Sequence, residues 1–447
     1  MASPMGEGLR GRSSGLKPIE TKRKVGIEEY DMVTVEDEPL SPMARLFHDR
    51  RFDVHAVAFM ACKTRISPQP VKEKLVHTLL KHPRFTSLMV VDEENLTDMK
   101  WVQTKIDLDQ HIVIVEVDET QLESPDKFVE DYIYNLSKTS LDRSKPLWDL
   151  HIINVKTRQA ESVVVFRVHH SLGDGTSLIS LLLACTRQTA DDLKLPTIPT
   201  KKRRPTPSGY SAKEGLWRLL GKFWLFIVMF VNTAVDVFMF IITIMFLKDT
   251  KTPISAPPDF ESNKARRIVH RIISLDDLKF VKNAMNVTIN DVALGLTQAG
   301  LSQYLNRRYA IGGKDKGATE RSNNLPNGIR LRSCLCFNLR SSAGIEVATE
   351  VTCKGFSNST ICFTNLVGPQ EEIGFCGYPI TYFAPSAYGQ PSALMINFQS
   401  YINKMIIVVS VDENAIPDPH QLLDDFEDSL NLIKNAIIEK GLIKNLK

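Results

Sequence analysis

The sequence predicts an α/β fold in two bodies with an apolar helix between them. Three observations carry that prediction. β-branched runs alternate with segments of helical spacing over residues 38–190, and the same mixture returns from 259 to the end. Two proline groups, Pro196, Pro199, Pro205 and Pro207, then Pro253, Pro257 and Pro258, mark linkers. Between them lies the most apolar stretch of the chain, residues 223–247, with a single charge, Asp236. The chain's 447 residues suit two or three domains, and 43% hydrophobic with 24% charged residues suits a folded body. A formal net charge of +3 argues against nucleic acid as the main partner.

The elements follow in chain order. Residues 1–37 open with a Gly-, Ser-, Lys- and Arg-rich stretch and read as a disordered basic leader, with no signal-peptide core. The first body is expected over 38–195. Its segment VKEKLVHTLL, 71–80, places Val71, Leu75, Leu79 and Leu80 on one side of a helix that stops at Pro83. SLMVV (87–91), HIVIVEV (111–117), LHIINV (150–155) and ESVVVFRV (161–168) read as strands, and SLISLLLAC (177–185) as a helix.

Residues 196–258 hold the linkers, the basic run KKRR at 201–204, and a helix over about 215–248. The second body is expected over 259–447. ISLDDLKFVKNAM (273–285) reads as a helix capped by Ser274, and TINDVALGLTQAGLSQYL (288–305) as another with Thr288 or Asn290 near its start. SCLCFNLR, STICFTNLV, ALMINFQSYI and KMIIVVSVDE read as strands, and residues 421–439 as the final helix. The seven cysteines show no CxxC pair, so buried free thiols facing a reducing compartment are expected, rather than zinc or a disulfide framework.

The helix over 215–248 is long enough to span a bilayer, since ~20 apolar residues suffice. A single span would put the two bodies on opposite sides of the membrane. At ~100° per residue, Arg218, Lys222, Asn232, Thr233, Asp236 and Thr243 fall within an arc of about 100°. That stripe predicts a helix sunk in one leaflet, stripe toward the protein or the headgroups, with KKRR near anionic lipid.

The sharpest chemical signal is His169-His170-Ser171-Leu172-Gly173-Asp174-Gly175, directly after a strand and before a helix. A strand end holds a side chain at the sheet rim with little freedom. Imidazole is mostly neutral at pH 7 and can take a proton from a hydroxyl. Gly173 and Gly175 are expected to supply unusual dihedrals in the turn. Two adjacent histidines can also be metal ligands, but no further ligand follows at metalloprotease spacing, and no metal is expected.

HHSLGDG resembles the HHxxxDG signature of the wax ester synthase/diacylglycerol acyltransferase family. EPLSPMARLF at 38–47, LDRSKPLWDLHII at 141–153, TINDVALG at 288–295 and SNSTICFTNLVGPQEEIGFCGYP at 357–379 are similar to its plant members. The resemblance covers nearly everything after residue 37. It implies two chloramphenicol-acetyltransferase-like bodies with mixed sheets, packed together around a tunnel to the site. It implies an O-acyltransferase moving a long fatty acyl group from acyl-CoA to a fatty alcohol, to diacylglycerol or to both. Acyl-CoA is then a substrate, and no cofactor is expected.

The resemblance also assigns roles. His170 is implied as general base and His169 as a residue shaping the site. Asp174 is implied to hold an arginine and fix the turn, with Arg340 as its candidate partner. Gly175 belongs to the signature. Asn290 and Asp291 match a second motif, which a helix cap explains equally well. The implied location is the endoplasmic reticulum membrane with the bodies facing the cytosol, the plasma membrane being the alternative.

One region departs from the family. Only residues 341–356 separate CFNLR from SNSTICFTN, where the family has a long, mostly helical stretch. A membrane-associated relic without turnover is therefore the second functional reading.

Overall fold

The structure is a computed structural model. It describes residues 37–49, 52–91, 99–198, 216–247, 249–256, 265–311, 322–335 and 359–442. The basic leader, the KKRR run, Arg340 and the shortened region at 341–356 lie outside the described residues.

A short strand and helix open the described chain, β1 (Glu38–Pro39) and α1 (Pro42–Leu46), the latter capped by the Ser41 hydroxyl. β1 joins β3 (Ser87–Val91) and β4 (Met99–Gln103) in a small antiparallel sheet. α2 (Pro68–Val76) ends sooner than expected, in single-turn helices at Leu79–Lys81 and Pro83–Thr86.

The first large sheet contains β2 (His55–Cys62), β5 (Ile112–Val115), β6 (Trp148–Ile153), β7 (Ser162–His169) and β8 (Thr186–Gln188). Every residue of β6 and β7 is buried, including the polar Asp149, His151 and Arg167, so both faces of these central strands are covered. Two more strands of this sheet arrive from the far half of the chain: β12 (Ile373–Phe375) and β13 (Tyr378–Tyr388). The strand order is β5-β6-β7-β2-β13-β12-β8, with β13 antiparallel to β2 along its length. The sheets therefore do not divide at residue 259, and the second half completes the first half's sheet. Pro379 and Pro385 hid β13, because proline within a run argues against a strand.

The second large sheet has the order β10-β11-β14-β15-β9. It contains β9 (Arg267–Ser274), β10 (Ser333–Leu335), β11 (Ile361–Leu366), β14 (Leu394–Tyr401) and β15 (Lys404–Val411). β11 runs parallel to both neighbours while β14, β15 and β9 are antiparallel, so the sheet is mixed as expected. α6 (Leu275–Met285), α7 (Ile289–Ile311) and α8 (Pro419–Glu439) share its apolar core through Leu278, Leu296, Tyr304 and Phe426. Ser274 caps α6 as expected. α7 and α8 touch at Gly300, where any Cβ would lie 2.2 Å from the Phe426 ring.

The two sheets meet along β13. The Tyr401 hydroxyl donates to the Ile380 carbonyl (3.1 Å), Lys404 Nζ to Thr381 O (2.9 Å), and Asn397 Nδ2 to Ser386 Oγ (2.9 Å). Ile268, Tyr401, Ile406 and Val408 of the second sheet belong to the first sheet's core. α3 (Pro125–Ser137) also packs against β9 at this junction.

α5 (Leu216–Met245) is the helix expected over about 215–248. It is ~45 Å long at ~1.5 Å per residue. Leu220–Ile242 has a mean hydropathy of 2.4, and none of its most apolar stretch is buried. The expected polar stripe does not pack on the protein: Asn232, Thr233 and Asp236 are as exposed as Phe230 and Phe238.

Candidate active site

β7 delivers the histidine pair. Its last residue, His169, is buried, and His170 opens a single helical turn, His170–Leu172, before α4 (Gly175–Ala184). The His170 backbone N–H donates to Val54 O (2.9 Å) at the foot of β2, which pins the turn to the sheet. The half-buried His170 ring stacks on Phe47, with ring centroids 4.4 Å apart. Phe47 clusters with Phe52, Val54, Cys362 of β11 and Met395 of β14. His170 thus stands where the two sheets meet.

His169 is held differently. Its Nε2 lies 2.9 Å from Asp53 Oδ1, and its Nδ1 lies 2.6 Å from the Ser171 hydroxyl. His48 stacks on its ring at 4.4 Å and His55 meets it edge-on at 5.1 Å. Burial lowers His48 to about 3 and His55 to about 4, so both are neutral at working pH. Burial works to raise Asp53, but its hydrogen bond from His169 and nearby positive charge outweigh that, and its carboxyl is held below the usual range. Asp53, His55 and His169 offer ligand atoms within 4.8 Å of one another, spacing that a metal ion could use. The Asp53–His169 hydrogen bond accounts for that closeness without one. Asp53, His48 and His55 escaped the sequence reading. The only signal was the HDRRFDVH string just ahead of an unrecognised strand.

The other expected residues separate. Asp174 is exposed and caps α4, its Oδ1 accepting the Ser177 N–H at 2.7 Å. Among the described residues no arginine pairs with it, and Arg340 lies outside them. The turn's glycines are also not strained: Gly173 is extended at φ 179°, and Gly175 begins the helix with open space beyond its Cα. Their expected dihedral role is therefore corrected. Asp291 closes a capping box with Thr288, accepting the Thr288 N–H (2.8 Å) while the Thr288 hydroxyl accepts the Asp291 N–H (3.2 Å). Asn290 instead points to β11, its Oδ1 accepting from Asn365 Nδ2 at 3.3 Å.

The buried aspartate–arginine pair of the site lies elsewhere. Arg167, two residues before His169, clasps Asp149 of the LWDLHII segment with two hydrogen bonds, one of 2.9 Å. Its remaining nitrogen, Nη1, donates to Leu136 O (2.8 Å) and the Tyr388 hydroxyl (3.3 Å). Burial pushes Asp149 up, but hydrogen bonds from Arg167 and His151 win and hold it at about 2. This pair locks β6 and β7 together just behind the histidines.

A cavity of about 300 Å³ opens at the junction of the halves, lined by Asp126, Glu130, His270, Tyr382 and His420 among others. His170 is not among its walls, so it does not outline the expected tunnel.

Comparisons with known proteins place the chain in a family. The chain matches the wax ester synthase/diacylglycerol acyltransferase catalytic domain over residues 48–293 and the WS/DGAT C-terminal domain over 333–434. It is 40% identical to wax ester synthase/diacylglycerol acyltransferase 11 of Arabidopsis thaliana, covering 92% of this chain and 97% of that protein. Number 5 of the same plant is 38% identical, covering 94% and 97%. Those alignments run over 482 and 502 positions, more than this chain's 447 residues, so the relatives carry residues that this chain lacks.

Among solved structures, the wax ester synthase/diacylglycerol acyltransferase from Marinobacter aquaeolei VT8 matches with a TM-score of 0.59 at 16% identity, covering 90% of this chain and 99% of that one. The first condensation domain of the calcium-dependent antibiotic synthetase matches at 0.52 and 11% identity, covering 90% and 96%. These likenesses show the fold: mixed α/β with mixed sheets, of the chloramphenicol-acetyltransferase kind. By domain match and by identity over nearly its whole length, the chain belongs to the wax ester synthase/diacylglycerol acyltransferase family.

Proposed function

We propose that the protein transfers a long-chain fatty acyl group from acyl-CoA to a fatty alcohol or diacylglycerol, with His170 as general base. The hydroxyl proton of the acceptor passes to the imidazole. The acceptor oxygen bonds to the thioester carbonyl carbon, the carbon–sulfur bond breaks, and the proton leaves on the thiol of coenzyme A. No cofactor enters this balance. The observation that carries the assignment is the state of His169: both its ring nitrogens are engaged, by Asp53 and Ser171, which suits a supporting role. The H-x-x-x-D register ending at Asp174 then selects His170 as the proton acceptor.

Membrane contact is part of the same reading. α5 exposes Phe223, Trp224, Phe230 and Phe238 to more than half their full area, far beyond an ordinary soluble surface. Its C-terminal end is tied to the second sheet: Arg332 binds the Leu247 carbonyl, and Asp249 accepts from Arg332 Nε (2.6 Å) and from Thr360 N (2.9 Å). Thr360 is two residues from Cys362, which packs in the apolar cluster beside His170. A lipid alcohol in the leaflet around α5 therefore lies close to the site. β2, before α5, pairs with β13, after it, so both ends of α5 stay on one side of the membrane. This supports a helix lying in one leaflet; the endoplasmic reticulum membrane, with the body facing the cytosol, is the location that the family resemblance implies.

The shorter length relative to the aligned relatives favours the second reading, a relic without turnover. Purified protein given radiolabelled palmitoyl-CoA with hexadecanol or diacylglycerol decides between them. Labelled ester is the expected product, and its absence with both acceptors would leave the relic.

A further inference from the structure

Asp53 sits in the loop before β2, with its side chain one-fifth exposed and its neighbour His169 almost wholly buried. Two links join this loop to the histidine turn. The Asp53 carboxylate meets His169 Nε2 at 2.9 Å, and the next residue, Val54, accepts the His170 backbone N–H at 2.9 Å. The loop is itself confined. Gly389, at φ +88°, approaches so closely that any Cβ would lie 1.9 Å from the Asp53 carbonyl oxygen. The same carbonyl accepts from His55 Nδ1 at 3.1 Å, and the Ser140 hydroxyl donates to Asp53 Oδ2 at 3.4 Å.

We propose that Asp53 is a positioning residue for acyl transfer, fixing His169 with its Nε2–H toward the carboxylate and its Nδ1 toward Ser171. A neutral imidazole has one N–H and one lone pair, and an acceptor on one nitrogen decides which is which. Nδ1 then accepts from the Ser171 hydroxyl at 2.6 Å and faces the Ser171 N–H at 3.3 Å. These bonds set the 170–172 turn, and the turn aims the His170 ring against Phe47. Asp53 touches no substrate. Its effect reaches the reaction through the placement of the base, where a shift on the order of 1 Å can cost about 100-fold.

The inference rests on His170 being the base, and a double-mutant cycle in the full-length protein tests the two separately. Initial rates and KM for palmitoyl-CoA are measured for D53A, D53N, S171A, H170A and H170A/D53A. D53A is expected to lower kcat by about 10- to 100-fold with KM for palmitoyl-CoA unchanged. D53N keeps an oxygen that accepts the Nε2–H and is expected to recover most of that loss. H170A/D53A is expected to equal H170A within about twofold, because Asp53 acts only through His170.

A full kcat in D53A overturns the inference, as does D53N no better than D53A, or a full additional loss in the double variant. Should D53A fail to fold, S171A decides: a fall in kcat supports the proposal and a wild-type kcat overturns it. Full activity in H170A would overturn the base itself, a failure distinct from that of Asp53.

Discussion

At the scale of single residues, the histidine pair was legible because a β-branched run ending in a glycine-bearing turn announces a strand end. Its supports were not. Asp53 lies 116 residues before His169, and nothing local marks a carboxylate that a distant strand will bring to hydrogen-bond range. Asp174 shows the converse: the resemblance implied an arginine partner, and the described residues, which do not include the candidate Arg340, show a helix cap. The buried pair Arg167–Asp149 has a consequence for stability. Removing one partner of such a pair costs about 3–5 kcal/mol, because the other charge stays buried and unpaired. Asp149→Ala should accordingly lower the unfolding midpoint in denaturant, and an unchanged midpoint would contradict the buried geometry. The folded-state pKa of Asp149, about 2, lies below its ordinary 3.8. Its contribution is therefore complete above about pH 4 and is lost as pH falls toward 2. Acid unfolding curves of the wild type and Asp149→Asn should converge over that window. Curves that stay parallel would contradict it.

Elements were legible wherever periodicity was uninterrupted. β6, β7, β14 and β15 were read from runs rich in β-branched, aliphatic and aromatic residues, and α6 from its Ser274 cap. β2 and β13 were missed for different reasons: HAVAFMAC is poor in β-branched residues, and YPITYFAPSAY carries two prolines. The contact between α7 and α8 depends on a residue that sequence periodicity does not rank, Gly300. Gly300→Val would drive methyl groups into the Phe426 ring and should destabilise by about 1–3 kcal/mol. A melting temperature equal to the wild type would show that the two helices are not that close. Of the polar residues expected to form a stripe on α5, Asn232, Thr233 and Asp236 are exposed rather than buried against the body.

At the scale of the molecule, the order of strands could not be read from the sequence, because pairing between β2 and β13 joins residues more than 300 positions apart. That pairing makes one body of two halves and constrains the apolar helix between them. Tags placed at the two termini should be found on the same side of the membrane by protease protection. Tags on opposite sides would contradict the shared sheet. The account's central claim is that acyl transfer runs on His170, with His169 as its support. The direct measurement is ester formation from radiolabelled palmitoyl-CoA by the wild type, His170→Ala and His169→Ala, at equal amounts of folded protein. His170→Ala should fall by about 10²–10⁴-fold while His169→Ala keeps measurable turnover. Equal residual rates in the two variants would contradict the claim.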